Sequence, residues 1–263
     1  MTLERDIQRQ VINLVAIIAA FITNVLANIK PLDGLTIAEI SDQYFEPVLI
    51  LPAGYAFSIW GLIYVGLISL AVYQALPSQK NNPHTKQLGY WLTFASITQI
   101  IWVIFFQYQL FAVSLVVIGL IVVFLAKLYL TLNHDGKAIP QKIRWLVRRP
   151  ISIYCAWVTV ATIVNAACLL HFLNWSGWGI EPEIWAAILL VIGTGLAAFI
   201  TFKYRDIVFG GVFVWAWVAI AVKHSQTEIV PTVAIAGALI LGSLCVATLF
   251  MPRRTSLSLD SEN

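Results

Sequence analysis

The residues best suited to binding chemistry lie in the apolar segment from Tyr154 to Leu169, which carries Trp157, Ala161 and Asn165 at successive four-residue steps. On a helix this spacing places the three side chains along one slowly drifting face. A side-chain amide within a membrane is costly unless it finds a hydrogen-bond partner. Asn165 is therefore expected to point into a helix bundle or a cavity.

Two other apolar segments carry aromatic stripes, and each stripe includes one uncharged polar group. Such stripes are more often packing surfaces than binding sites. Their similar depth nevertheless favours one cavity with aromatic walls and few polar groups, on which a flat conjugated molecule would stack. The candidate ligand-binding residues are Phe57, Trp60 and Tyr64 in the second segment, Gln99, Trp102 and Phe106 in the third, and Tyr154, Trp157, Ala161 and Asn165 in the fifth.

The chain offers little for catalysis or for ion coupling. No acidic residue lies at the centre of an apolar segment, where proton-driven or ion-driven transporters usually place one. His171 could ligate a haem iron, but a lone interfacial histidine is more often an ordinary hydrogen-bonding residue. Cys155, Cys168 and Cys245 lie inside apolar segments without a CxxC pair, and we expect them to be packing residues. The sequence predicts no catalytic residue and no metal site, and an enzyme is not the leading interpretation.

Composition predicts an all-α polytopic membrane protein. Hydrophobic residues make up 60% of the 263 and charged residues 11%, whereas a soluble domain carries about 25% charged residues. The apolar stretches match the ~20 residues needed to cross the hydrocarbon core, and none alternates as a barrel strand would. We expect eight transmembrane helices, at Val11–Ile29, Tyr55–Leu76, Tyr90–Phe106, Leu110–Leu132, Ile151–Phe172, Ile184–Phe202, Ile207–Val222 and Val230–Phe250.

The distribution of basic residues predicts the orientation. Of the 16 lysines and arginines, only Lys30 and Lys223 fall on one side of the eight helices. Cytoplasmic loops are enriched in basic residues, so both termini are expected in the cytoplasm. The expected location is a bacterial cytoplasmic membrane, with the chain as an integral multi-pass protein. The basic linker with Lys142, Arg144, Arg148 and Arg149 is expected to contact the anionic inner leaflet or simply to set the topology. No nucleic-acid partner is expected.

The first outer loop contains a capping-box pattern, with Thr36 followed three residues later by Glu39. This pattern predicts a short surface helix between Leu35 and Tyr44. The helix could cover the outer mouth of the bundle as a lid, or it could lie at the membrane interface without that role.

The aromatic stripes resemble the TspO/MBR family of tryptophan-rich sensory or translocator proteins, over about residues 9 to 173. The family has a proline-glycine turn before Phe, Trp and Tyr on its second helix, an Asn three residues before a Trp on its third, and a Trp-Ala-Asn ladder on its fifth. Gln99 stands here where the family has Asn. The matching positions are Pro52, Gly54, Phe57, Trp60, Tyr64, Trp102, Phe105, Phe106, Trp157, Ala161 and Asn165.

This resemblance implies a five-helix membrane domain at residues 1–173, followed by three additional transmembrane helices at 174–252 and a polar cytoplasmic tail at 253–263. It also implies a binding or sensory protein for a flat hydrophobic small molecule of the porphyrin type, with porphyrin or haem as ligand and no required cofactor. Light-dependent tetrapyrrole breakdown and a permease for a hydrophobic metabolite remain alternatives. The last three helices are expected to pack beside the five, without lining the main site, or to form the surface of a homo-oligomer.

Overall fold

A computed structural model describes residues 2–134 and 139–251, and these residues form helices and no strand. The predicted polar tail at 253–263 lies outside the described residues. We label nine helices in chain order: α1 Thr2–Ile29, α2 Ile37–Phe45, α3 Ile59–Ala75, α4 Trp91–Gln107, α5 Phe111–Asn133, α6 Arg149–Phe172, α7 Pro182–Tyr204, α8 Ile207–Lys223 and α9 Ile229–Phe250.

Eight of these helices are apolar enough to be membrane spans. Six helical segments are long and apolar enough to cross a bilayer, and the remaining two, α4 and α8, have 17 residues each. A helix of 17 residues is about 25 Å long, which is near the lower limit for a transmembrane helix. The prediction of an all-α polytopic membrane protein is confirmed.

The ends of the helices follow the sequence predictions closely, except at two starts. The predicted second span begins at Tyr55, whereas α3 begins at Ile59 after a 3₁₀ turn at Gly54–Ser58. The predicted first span begins at Val11, whereas α1 begins at Thr2. The polar first turns continue the helix because they contain no glycine or proline and because they pack against the α3–α4 linker. There Asp6 pairs with Lys86 at 2.8 Å, and Arg9 donates to the backbone oxygen of Thr85 at 2.7 Å.

The very short turn between α4 and α5 uses a left-handed residue that is not glycine. Gln109 has φ 57°. Its N–H bonds the oxygen of Phe106 at 3.0 Å, and the N–H of Leu110 bonds that of Phe105 at 2.9 Å. These two bonds form a Schellman motif, which satisfies the last carbonyls of α4 and allows α5 to return antiparallel after only three residues.

Five helices form a closed ring. α1 packs against α3 and α4, α4 against α5, α5 against α6, and α6 against α3. Gly66 of α3 allows the last of these contacts, because a Cβ built at this position would lie 3.1 Å from Cβ of Pro150 at the start of α6. The ring surrounds a space in the half that lies next to α2 and the chain that follows it.

The last three helices form a second group that joins the ring mainly through α8 packing on α6. Trp217 of α8 is fully buried and lies between two glycines. A Cβ at Gly193 of α7 would be 2.6 Å from the indole, and one at Gly237 of α9 would be 2.8 Å from it. The indole N–H donates to Oγ1 of Thr194 at 2.8 Å. Small residues thus allow α7 and α9 to close around one large side chain.

Asp206 fixes the start of α8 against the ring. One carboxylate oxygen accepts hydrogen bonds from the hydroxyls of Tyr129 on α5 at 2.8 Å and Ser152 on α6 at 2.7 Å. The other accepts from the first free N–H groups of α8, those of Val208 and Phe209. The carboxylate therefore caps α8 and joins three helices at one point.

Candidate functional site

The space inside the ring is a small enclosed cavity with almost entirely apolar walls. Seven of the ten predicted site residues line it: Phe57, Trp60, Trp102, Phe106, Trp157, Ala161 and Asn165. No charged side chain is among the lining residues. The free space is about 40 Å³, enough for about three water molecules if each needs ~15 Å³.

Five of the fourteen lining residues are aromatic, and several of their rings pack against one another. The rings of Phe57 and Trp157 meet edge to face, with centroids 6.1 Å apart. Trp102 and Phe106, on successive turns of α4, have centroids 5.2 Å apart. Trp157 is 2% exposed and Trp102 5%. The structure thus brings three indoles, those of Trp60, Trp102 and Trp157, from α3, α4 and α6 to one cavity.

Two polar groups on this wall could recognise a bound molecule. The indole N–H of Trp102 is buried and has no hydrogen-bond partner among the described residues. Asn165 donates from its side-chain nitrogen to the backbone oxygen of Ala161 at 3.1 Å. Its side-chain oxygen accepts no hydrogen bond from the described residues. Besides the hydroxyl of Ser41, which donates to the backbone oxygen of Ile37, a ligand would therefore meet one donor and one acceptor, neither of them charged.

The other three predicted site residues lie behind the wall and form a buried hydrogen-bonded chain. The hydroxyl of Tyr154 donates to the side-chain oxygen of Gln99, and the nitrogen of Gln99 donates to the hydroxyl of Tyr64. Tyr64 in turn donates to the backbone oxygen of Ala20 on α1 at 3.3 Å. The chain ties α6, α4, α3 and α1 together. It also supports the indole of Trp60, whose ring stacks on Tyr64 at 5.8 Å.

One side of the cavity is covered by α2. The predicted capping box is present: the N–H of Glu39 bonds Oγ1 of Thr36 at 3.2 Å, and the N–H of Thr36 bonds the Glu39 carboxylate at 2.7 Å. The bond from the Thr36 backbone lowers the pKa of the Glu39 carboxyl. One face of α2 is buried, and Ile37 and Ser41 on this face line the cavity.

Ring stacking anchors the C-terminal end of α2. The side chain of Phe45 is fully buried, and its ring meets that of Phe111 edge to face with centroids 4.8 Å apart. Phe111 also contacts the ring of Phe106 at 5.5 Å, and Phe106 lines the cavity. The end of the covering helix is thus linked to the cavity wall through Phe111, which packs against both Phe45 and the wall residue Phe106.

We call α2 and the following chain to Ser58 the roof, and α8 holds the roof in place. Lys223 pairs with Asp42 of α2 at 3.0 Å. Two further bonds hold the chain that follows α2. A ring nitrogen of His224, the residue after the end of α8, lies 3.0 Å from the oxygen of Leu51. The N–H of Ala53 bonds the oxygen of Ala219 on α8 at 3.1 Å. A fourth joins the indole N–H of Trp215 to the oxygen of Ala56 at 3.1 Å. As expected, no residue of α7–α9 lines the cavity, but α8 supports the segment that covers it.

Sequence reasoning missed half of the lining residues. Val160, Val164 and Cys168 lie three residues after the members of the α6 stripe, so the helical repeat could have found them. The other four, Ile37, Ser41, Leu51 and Pro52, come from the roof, and no periodicity in α3, α4 or α6 indicates them. His171, the residue considered as a haem ligand, is exposed and does not line the cavity.

The basic linker lies at the opposite end of α6. Arg149 begins this helix, and its guanidinium lies 3.3 Å from the ring centroid of Trp145. Arg148 donates to the side-chain oxygen of Asn133 at 3.2 Å. Trp145 is 55% exposed, which places an aromatic and basic surface next to the apolar part of α6.

Comparison with known proteins gives one result for the family. The sequence profile of the family described as TSPO-like protein matches residues 10–249, and no match was found among curated proteins or among solved structures. The motifs recognised in the sequence covered about residues 9 to 173, whereas the family match continues through α7, α8 and α9. Since it spans most of the chain, the protein belongs to the TSPO-like family.

Proposed function

We propose that this protein binds a flat hydrophobic molecule, of the porphyrin type, in the cavity beneath the roof. The observation that carries the proposal is the meeting of three indoles from three helices in one uncharged cavity, where they could stack on a conjugated ring. Packing alone explains buried tryptophans, but it does not explain the buried indole N–H of Trp102 without a partner.

Binding requires the roof to move. Pockets for drug-sized ligands measure about 300–1,000 Å³, whereas the closed cavity offers about 40 Å³. Ile37 and Ser41 line the cavity near the start of α2, and Phe45 anchors the end of this helix. Displacement of the first turns of α2 would therefore enlarge the cavity while the aromatic anchor stays in place. The carboxylates of a porphyrin would remain outside the uncharged walls, at the mouth.

Titration of the purified protein with protoporphyrin tests this proposal. Trp157→Phe removes the indole N–H and part of the stacking area, which should cost about 1 kcal/mol and weaken binding about fivefold. Trp185→Phe is the matched control, since Trp185 lies in the first turn of α7, where its indole N–H donates to the oxygen of Gly177, and it does not line the cavity. Equal affinity in the wild-type protein and in both variants would contradict a site at Trp157.

The same preparation separates binding from the two alternatives. Saturable quenching of the protein's tryptophan fluorescence by protoporphyrin, in the dark and in light and without change in the pigment, indicates binding alone. Loss of pigment only in light would instead indicate tetrapyrrole breakdown, and uptake into protein-containing vesicles would indicate a permease.

We also propose that both termini lie in the cytoplasm, so that the roof faces the opposite side. The support is the distribution of lysine and arginine, of which only Lys30 and Lys223 are on the roof side. Cysteines introduced at Asp42 and at Gln141 should react with an impermeant reagent from opposite sides of the membrane. Equal labelling from one side would refute this topology.

A further inference from the structure

A second apolar site lies on the outside of the helix ring, where α3 and α8 diverge over α6. It is a groove of about 400 Å³ and shares no residue with the enclosed cavity. Its lining includes Ile59 and Leu62 of α3, Ile153 of α6, and Val208, Gly211 and Trp215 of α8. We call this site the α3–α8 groove.

The groove opens towards the surrounding membrane. Leu62 is 56% exposed and Trp215 38%, and both lie in the middle of membrane-spanning helices. Gly211 is exposed, and a Cβ built at this position would meet nothing within 4 Å, so a larger side chain here would extend into the groove. No charged residue lines it. Such a space does not hold water well, and if it stayed empty its walls would lose dispersion contacts.

One end of the groove leads to a basic and aromatic surface. Arg149 lies one helical turn before Ile153 on α6, so the two side chains share a face. Its guanidinium stacks on Trp145. In the described part of the chain no carboxylate forms an ion pair with it within 4 Å, although the carboxylate of Asp206, already bonded to Tyr129 and Ser152, is near enough to interact with it electrostatically. Guanidinium groups bind phosphate strongly, and tryptophan is typical of the level of lipid headgroups.

From these observations we propose that the α3–α8 groove binds a phospholipid of the bilayer. One acyl chain lies along Leu62, Ile153 and Gly211, and the phosphate group contacts Arg149. A free phosphate or another soluble anion would use Arg149 but not the apolar groove. An uncharged lipid would use the groove but not the positive charge of Arg149. A phospholipid uses both. A bound lipid in this place also contacts α8, the helix that holds the roof.

Photolabelling tests the acyl-chain part of the proposal. The protein is reconstituted in phosphatidylcholine vesicles that contain a small fraction of phosphatidylglycerol with a diazirine on one acyl chain, and the labelled peptides are quantified. Wild-type protein should be labelled several-fold more on the peptides that carry Leu62 and Gly211 than on exposed faces of α7. Gly211→Phe fills the groove and should remove this excess, with Gly211→Leu as a smaller replacement if the first variant does not fold.

Gly195→Phe is the matched control, because Gly195 is also an exposed glycine with nothing within 4 Å of a built Cβ. It should leave the labelling unchanged. Arg149→Gln should abolish the preference for phosphatidylglycerol over phosphatidylcholine probes, while Lys142→Gln should retain it. Equal labelling of groove and α7 peptides, or loss of labelling in Gly195→Phe to the same extent as in Gly211→Phe, would overturn the proposal.

Discussion

The ion pair between Lys223 and Asp42 should hold the roof closed, so its removal should improve ligand binding. The two side chains meet at 3.0 Å, with that of Asp42 67% exposed and that of Lys223 19% exposed. A pair with one exposed partner contributes about 0.2–1 kcal/mol. If the bound state requires the roof to open, Asp42→Asn destabilises only the closed state, and the apparent affinity rises by the same free energy. The expected gain is about 1.4-fold to fivefold.

Protoporphyrin titrations and stopped-flow association at low ionic strength measure this effect. The apparent affinity and the association rate should both rise in Asp42→Asn and in Lys223→Gln, and the double variant should gain no more than either single one. At high salt the difference from wild type should disappear, because the pair is screened. Glu181→Gln, which removes one negative charge from another outer loop, should change neither quantity.

Two results would refute this reasoning. If the single variants gain affinity and the double variant gains the sum, Asp42 and Lys223 act independently and not as a pair. If Asp42→Asn binds protoporphyrin more weakly, the pair supports the bound state, and the roof does not have to open at α2.

Three further predictions concern the stability of the parts that position the site. Gly193→Ala should destabilise the α7–α9 group by about 1–3 kcal/mol, since its Cβ would lie 2.6 Å from Trp217. Gly195→Ala should be neutral or slightly stabilising, and thermal unfolding in detergent compares the stability of the two variants. Gln99→Leu leaves the buried hydroxyl of Tyr154 without its acceptor and removes the donor to Tyr64, which keeps its bond to Ala20, and it should cost about 1–2 kcal/mol in the same assay. Thr36→Ala removes the cap of α2, worth about 1 kcal/mol, and should speed amide hydrogen exchange in α2 while leaving exchange in the spanning helices unchanged.

The membrane helices could be predicted from the sequence because one physical rule dominates them. A lipid environment requires about 20 apolar residues per span, and polar or helix-breaking linkers mark the ends. Even the turn without glycine after α4 falls where the predicted spans meet. The start of α1 was missed because Asp6 and Arg9 extend that helix by bonding to the α3–α4 linker, a contact between segments far apart in the chain.

The stripes on α3, α4 and α6 could be predicted as one group because helical periodicity is local. It could not distinguish the wall of a cavity from the layer behind it. Tyr64, Gln99 and Tyr154 have the same spacing as the tryptophans, yet their polar atoms satisfy one another behind the wall. Which residue faces the cavity depends on the rotation of each helix, and this rotation is set by contacts such as that of Gly66 with Pro150.

The last three helices support α2, which needs support because it is short. A helix of nine residues is marginal by itself, because its nucleation cost is spread over few hydrogen bonds. Its capping box stabilises its first turn, and the packing of Phe45 on Phe111 anchors its last turn to the ring. A further hold comes from outside the ring, through the ion pair of Lys223 on α8 with Asp42 and the bond of His224 to Leu51 in the chain that follows α2. If ligand binding requires the roof to open, as proposed, helices that contribute nothing to the cavity wall would therefore still influence that opening.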